Sequence, residues 1–333
     1  MSFLVGPPAD ELLGFFSGLN RVLADEDCSY RPYDGDGLPG GLVELALDIP
    51  TVVLPDIHAR PRFVRSVLDY ELPELGMTVE EAVRCEEAQL VCVGDYFHGE
   101  GRVARRWREA LAEFGQEFEP SPAMDAEMAE GLEALRLLGT LKSASPRFTQ
   151  LLKGNHENVA NEEGGGNHPF GKYAYEGAMV ASYISLKYGE RVLSAIYAFE
   201  KSLPLVAVGN RFVISHAEPE RPYARERIIG YRRDPEVVYG LTWTADDRSE
   251  EGSVDAMLDD LLSTDRREGA LWFGGHRPVF NRYRLRGGGS YVQFHNPSRS
   301  QVAFLPADRP PDPERDIIEI GEGQDTRDDQ SAR

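Results

Sequence analysis

Gly154-Asn155-His156-Glu157 stands one residue beyond the apolar run Phe148–Leu152 and sets an amide, an imidazole and a carboxylate near its end. The run is short and bounded by polar residues, as a buried strand is. Four other places repeat the pattern: Asp56-Ile57-His58 after Thr51–Leu54, Gly94-Asp95 after Leu90–Val93, Ser215-His216 after Phe212–Ile214, and Gly274-Gly275-His276 after Leu271–Phe273. In each, metal-binding side chains come where a predicted strand runs out.

Asp, His and Asn offer carboxylate oxygen, imidazole nitrogen and amide oxygen, the donors that hard and borderline cations take. Asp56 and His58 are two residues apart in extended chain, so both point one way while Ile57 faces the core. A carboxylate such as Asp95 bridges two cations roughly 3.5–4 Å apart, where both polarise one phosphoryl oxygen and activate a shared water. Gly94, Gly154 and Gly275 precede donors and let backbones turn sharply and crowd together. Taken singly, each piece is commonplace: Gly-Asp after a strand is ordinarily a turn, and a lone histidine is ordinarily a packed core or rim residue. Yet four of the seven histidines in 333 residues fall at these strand ends. The two-metal reading rests on that conjunction.

In the order Asp-x-His, Gly-Asp, Gly-Asn-His-Glu, His, Gly-His, the motifs resemble those of the calcineurin-like metallophosphoesterases. The serine/threonine phosphoprotein phosphatase branch is the nearer likeness. Gly94-Asp95-Tyr96 follows a strand, Phe199–Leu205 precedes the strand bearing His216, and Leu241–Asp247 is similar to that branch's Leu-Trp-Ser-Asp-Pro stretch. Tyr291–Pro297 with Gln301–Leu305 looks like its closing strands, so the likeness spans roughly Ile49–Leu305. It implies an α/β sandwich of two mixed β-sheets flanked by helices, with a metal site at the strands' C-terminal ends. It also implies two transition-metal ions, manganese, iron or zinc. Asp56 and His58 would hold the first, Asp95 would bridge, and Asn155, His216 and His276 would complete the second. His156 would protonate the leaving alkoxide after a metal-activated hydroxide attacks phosphorus. The substrate implied is a phosphomonoester, first a phosphoprotein, with a small phosphorylated metabolite or a dinucleoside polyphosphate as the alternative. A non-catalytic, metal-bound regulatory protein is the reading from another class.

Two departures from the branch matter. Where it continues Gly-Asp-x-x-Asp-Arg-Gly, this chain has Gly94-Asp95-Tyr96-Phe97-His98-Gly99-Glu100. The carboxylate that would orient His156 is therefore His98, itself a candidate proton donor, and the phosphate-gripping arginine is Gly99. Arg60, Arg102 and Arg277 lie near motif positions, and Arg248 follows the Trp243 stretch; a guanidinium matches phosphate oxygens bidentately, so these are the candidate substrate-binding residues. Secondly, Gly275-His276-Arg277-Pro278 lacks the histidine that many superfamily members carry two residues after the first. Pro278 cannot ligate, so water is expected to complete the first metal, which favours phosphomonoesters.

With 36 basic and 56 acidic side chains the formal charge is −20, and the isoelectric point is near 4.8. Broad repulsion of a phosphate polymer, with no basic stripe interleaved with aromatics, argues against nucleic acid as a partner. A hydrophobic fraction of 41% is ample for a core. Three cysteines, Cys28, Cys85 and Cys92, do not suggest a disulfide framework, and a reducing cytoplasm is expected. Neither a signal peptide nor an apolar stretch long enough for a membrane span is evident.

Helical spacing marks Asp10–Ala24, Arg102–Phe118, Ala123–Ser143, Tyr173–Tyr188, Arg191–Lys201 and Val254–Leu262. Strands punctuated by helices imply a layered α/β arrangement with ligands at the strand ends. The simplest organisation is one catalytic domain over residues 1–305, with a helical insertion at about 102–143, then an acidic tail at 306–333 read as disordered from its composition. Within that tail Ile317, Ile318 and Ile320 could form a short edge strand. Gly164-Gly165-Gly166 is a candidate rim loop over the site.

Overall fold

A computed structural model describes residues 6–321. In chain order its strands are β1 (Leu42–Glu44), β2 (Thr51–Leu54), β3 (Glu71–Leu72), β4 (Met77–Thr78), β5 (Gln89–Cys92), β6 (Thr149–Leu151), β7 (Val206–Val208), β8 (Phe212–Ser215), β9 (Leu271–Gly274), β10 (Arg284–Arg286), β11 (Tyr291–Gln293), β12 (Gln301–Leu305) and β13 (Ile317–Glu319). Two mixed sheets face each other, one ordered β13-β12-β2-β5-β6 and the other β1-β7-β8-β9-β11-β10. Each contains three adjacent parallel strands, β2-β5-β6 running to one edge of the first and β8-β9-β11 inside the second.

Strands covered on both faces should read as continuous apolar runs whose alternate residues serve two different cores. They do. Val53, Val91, Ile214, Phe273 and Val292 point between the sheets. Val52, Leu54, Leu90 and Cys92 turn outward under the helices Ala9–Ala24, Pro61–Leu68 and Pro122–Ala144. Val213, Trp272 and Tyr291 turn outward on the opposite side, under Ser253–Leu261 and Pro235–Thr242. The helices expected near 102–143 are therefore a layer of the sandwich: Ala104–Phe114 and Pro122–Ala144 bury Trp107, Met124, Leu135 and Leu138 in the core shared with β2 and β5.

Residues 306–321 of the stretch read as a disordered tail are ordered. Pro313–Asp316 forms a helical turn, and β13 pairs antiparallel with β12, Ala303 opposite Ile317. Ile317 and Ile320 are buried, and Asp316 takes an ion pair from Arg309. The edge strand, the less favoured of the two readings of these isoleucines, forms over Ile317–Glu319, because the Asp- and Pro-rich flank describes the turn leading to it rather than the strand; residues 322–333 lie outside the described residues. All three cysteines are unpaired, with Cys92 buried. Among the described residues no helix is long and apolar enough to cross a membrane.

Candidate metal centre

Every donor singled out from the sequence stands just past the C-terminal end of one of these parallel strands. Asp56 and His58 follow β2, Asp95 follows β5, Asn155 follows β6, His216 follows β8 and His276 follows β9. All six side chains meet in one cluster, five of them buried and His276 half-buried. His58 Nε2 lies 3.7 Å from Asp95 Oδ2 and 4.0 Å from Asp56 Oδ2. His216 Nε2 lies 3.6 Å from Asp95 Oδ2 and 2.9 Å from Asn155 Oδ1, and His276 Nδ1 is 2.9 Å from that same Asn155 oxygen. Asp95 is thus central to the set, where a bridging carboxylate belongs.

The turns that bring these groups together are held by Glu157. Its carboxylate accepts the amides of Asp95 at 2.8 Å and Gly154 at 2.6 Å on one oxygen, and that of Tyr96 at 3.0 Å on the other. The loops after β5 and β6 are thereby locked to each other. There is no room for a side chain between them: a Cβ on Gly154 would sit 2.2 Å from Asp95 Oδ1, and one on Gly275 would sit 2.1 Å from Asp56 Oδ1. His58, Asp95, His98 and His276 all adopt positive φ, a conformation that costs energy and persists where surrounding contacts over-determine it.

Burial governs the electrostatics. It drives the imidazoles of His58 and His276 down to about 3 and those of His156 and His216 well below their ordinary range. Burial, followed by the neighbouring Asp56 and Glu157 charges, raises the carboxyl of Asp95, and burial raises that of Asp56. Neutral imidazoles beside two carboxylates that repel each other form a donor set that a cation would satisfy. The tautomers agree: His58 Nδ1 faces the His98 carbonyl at 3.0 Å and His216 Nδ1 faces that of Val93 at 3.1 Å, which turns each Nε2 lone pair into the cluster. These residues therefore fit a pair of metal ions.

His156 and His98 form an adjoining pair. His98 Nδ1 is 3.1 Å from His156 Nδ1, so the residue replacing the expected aspartate does contact His156. His156 Nε2 is 3.7 Å from Asp95 Oδ2, close enough to group with the ligands as well. Of the arginines, Arg60 is turned into the backbone, donating to the carbonyls of Asp56 at 2.7 Å and Ile57 at 3.1 Å. Arg102 is bonded to the Ala59 carbonyl and to Glu130. Arg277, beside His276, and Arg248 are exposed, and among the described residues neither guanidinium has a hydrogen-bond or ion-pair partner.

Three contributors escaped the sequence reading. Phe170, beyond the Gly164–Gly166 loop, lays its ring 3.7 Å from that of His156 and 5.1 Å from that of His98. His295, two residues past β11, lies with Nδ1 3.5 Å from Asp56 Oδ2. Glu100 meets His295 Nε2 at 2.9 Å. The signal for His295 was present: the apolar run Tyr291–Phe294 ends on it, as Phe212–Ile214 precedes His216.

Two mixed sheets flanked by helices, with a His/Asp cluster buried where their parallel strands end, define the calcineurin-like metallophosphoesterase fold. Among solved structures, a protein serine/threonine phosphatase from Saccharomyces cerevisiae matches 94% of this chain and 90% of its own, at 15% identity and a TM-score of 0.57. That likeness shows a shared architecture. A cold-active protein-tyrosine phosphatase of a psychrophilic Shewanella matches 84% of this chain and 82% of its own at 13% identity, but its TM-score of 0.46 is too low to argue from. No protein-family model and no curated protein sequence matches the chain.

Proposed function

We propose that the chain is a metal-dependent phosphomonoesterase acting on phosphoserine or phosphothreonine in proteins. The observation that carries this reading is the convergence of Asp56, His58, Asp95, Asn155, His216 and His276 from both sheets into one cluster, largely buried, with Asp95 at its centre. Two bound cations would polarise the phosphoryl group and lower the pKa of a water they share. The chain's own part is to place donors and protons. His98 Nδ1–H donating to His156 Nδ1 leaves His156 with its proton on Nε2, the atom turned toward Asp95, from which it passes to the leaving alkoxide. Phe170 packs against both rings, stacked on His98 and tilted against His156. Of the two arginines free to grip phosphate, Arg277 and Arg248, Arg277 stands beside the cluster residue His276. The yeast phosphatase supports the protein substrate through its fold alone. Gly99, in place of the arginine of the branch, favours a second reading in which a small phosphorylated metabolite or a dinucleoside polyphosphate is hydrolysed.

Elemental analysis of metal-reconstituted protein should give about two ions per chain, and Asp95→Asn should abolish hydrolysis together with tight binding of at least one. A panel of phosphopeptides, phosphomonoesters, phosphodiesters and dinucleoside polyphosphates separates the substrates. Preferred cleavage of diesters refutes the phosphomonoesterase, and retained metal and activity in Asp95→Asn refutes the site.

A further inference from the structure

We propose that His295 is a protein ligand of the first metal position, standing in for the histidine missing at Pro278, and that Glu100 orients its ring. The assignment rests on the two-metal reading above and deepens it.

Position argues first. The three adjacent parallel strands of one sheet each end in a donor, and so do two of the three in the other, β8 and β9. The remaining strand, β11, runs parallel beside β9 and is followed two residues on by His295, the same offset that His276 has from β9 and Asp56 from β2. His295 completes the pattern. It also arrives where the absent histidine would have been: the amide of Val279, next to Pro278, donates to the His295 carbonyl at 2.8 Å, so the two loops run side by side.

Orphaned atoms argue next. His295 and Asp56 are both fully buried, yet among the described residues neither His295 Nδ1 nor Asp56 Oδ2 has a hydrogen-bond partner. They face each other at 3.5 Å, beyond the usual N–H···O range. Two donors each about 2.1 Å from one ion lie about 3.0 Å apart at a right angle and about 3.4 Å apart at the tetrahedral angle. A purely structural histidine between two carboxylates would close that gap into a hydrogen bond, since a buried unpaired acceptor is costly. Asp56, His58 and His295 present ligand atoms all within 4.8 Å of one another.

The ring's orientation fits a ligand. Its Nε2 is 2.9 Å from Glu100 Oε2, and Glu100 is tied in turn to Lys172 at 3.1 Å. A proton on Nε2 donated to Glu100 leaves the Nδ1 lone pair directed at Asp56. A carboxylate behind an imidazole in this way fixes the tautomer and strengthens the donor. The first position then has Asp56, His58, Asp95 and His295, matching the four groups Asp95, Asn155, His216 and His276 of the second.

The test is a manganese(II) titration of chelator-stripped protein, followed by EPR of the free ion, on wild type, His295→Ala, His295→Gln and Glu100→Gln. Wild type should bind two ions. Both His295 variants should keep one ion at wild-type affinity and bind the other at least about 10-fold more weakly, with Glu100→Gln weakening that same ion about 10-fold. Two ions at unchanged affinity in His295→Ala overturns the assignment and leaves the two-metal reading standing; a wild type that binds no manganese overturns both. Pulsed EPR of histidine-labelled wild type needs no variant to fold. It should count two imidazole nitrogens at each ion, and a single nitrogen at one of them overturns the proposal.

Discussion

Glu157→Gln offers the sharpest test of how the site is held together, because the substitution keeps shape and removes only charge and one acceptor. Glu157 is 1% exposed and receives three backbone amides, from Asp95, Gly154 and Tyr96. Glutamine keeps one oxygen, enough for the two amides that share Oε2, and sets its NH2 against the Tyr96 amide. One charge-assisted hydrogen bond goes, worth about 1.5–3 kcal/mol, and a buried donor is left unsatisfied at about 1–3 kcal/mol. The buried ammonium of Lys153, which interacts with the Glu157 charge, keeps Glu200 as a partner. Those costs overlap, so about 3–5 kcal/mol is expected. Unfolding entropy of about 2.1 cal/mol/K per residue gives about 0.7 kcal/mol/K for a chain of this length, and Tm should drop by about 4–7 °C. Since the loops that Glu157 joins carry Asp95 and Asn155, metal affinity should fall about 10-fold as well. Calorimetry of the stripped protein reads the first effect and isothermal titration with manganese the second. A Tm within one degree of wild type would refute the clamp, whatever the metal affinity.

Gly275→Ala should weaken metal binding at least about 10-fold, because its Cβ would meet Asp56 Oδ1 at 2.1 Å; metal titration of the folded variant checks it, and full affinity would show that the loop yields. Glu26→Ala should cost about 3–5 kcal/mol in chemical denaturation, since it strands Arg31 and Lys142, both fully buried and both paired with Glu26. For His98, burial pushes the imidazole from 6.5 down to about 3. Unfolding therefore takes up a proton between those values, so this contribution is complete above pH 6.5 and is lost as pH falls toward 3, at about 1.4 kcal/mol per pH unit. His98→Gln lacks it, and denaturation at pH 4 to 7 should show wild type losing stability relative to the variant at that slope. The same variant should lower kcat more than it raises KM if His98 sets the His156 tautomer; unchanged kinetics would make it a bystander.

The donors after β2, β5, β6, β8 and β9 were legible because each ends an apolar run, and a metal site needs side chains of few types at strand ends. His295 was harder to see, because it lies inside Tyr291–Pro297, a stretch that resembles a closing strand and carries no Gly-His landmark of its own. Glu100 and Phe170 touch His295 and His156 across chain separations of 195 and 14 residues, and neither belongs to a pattern with a period. The arginines were all near motif positions, but proximity along the chain does not say which carbonyl or carboxylate a guanidinium will meet. Arg60 and Arg102 met the backbone and Glu130. Composition did not show the order of residues 306–321 because the few buried side chains there, Asp316, Ile317 and Ile320, weigh little against a dozen acidic and proline neighbours.

The sharing of donors between the two sheets has a mechanical corollary. A cation pair held by these residues would tie the two sheets together at their strand ends, so loading the protein should slow amide hydrogen exchange in β2, β5 and β6 together with β8, β9 and β11. Loosening either half would then loosen the grip of the other, and stripping the metals would leave the halves free to breathe apart.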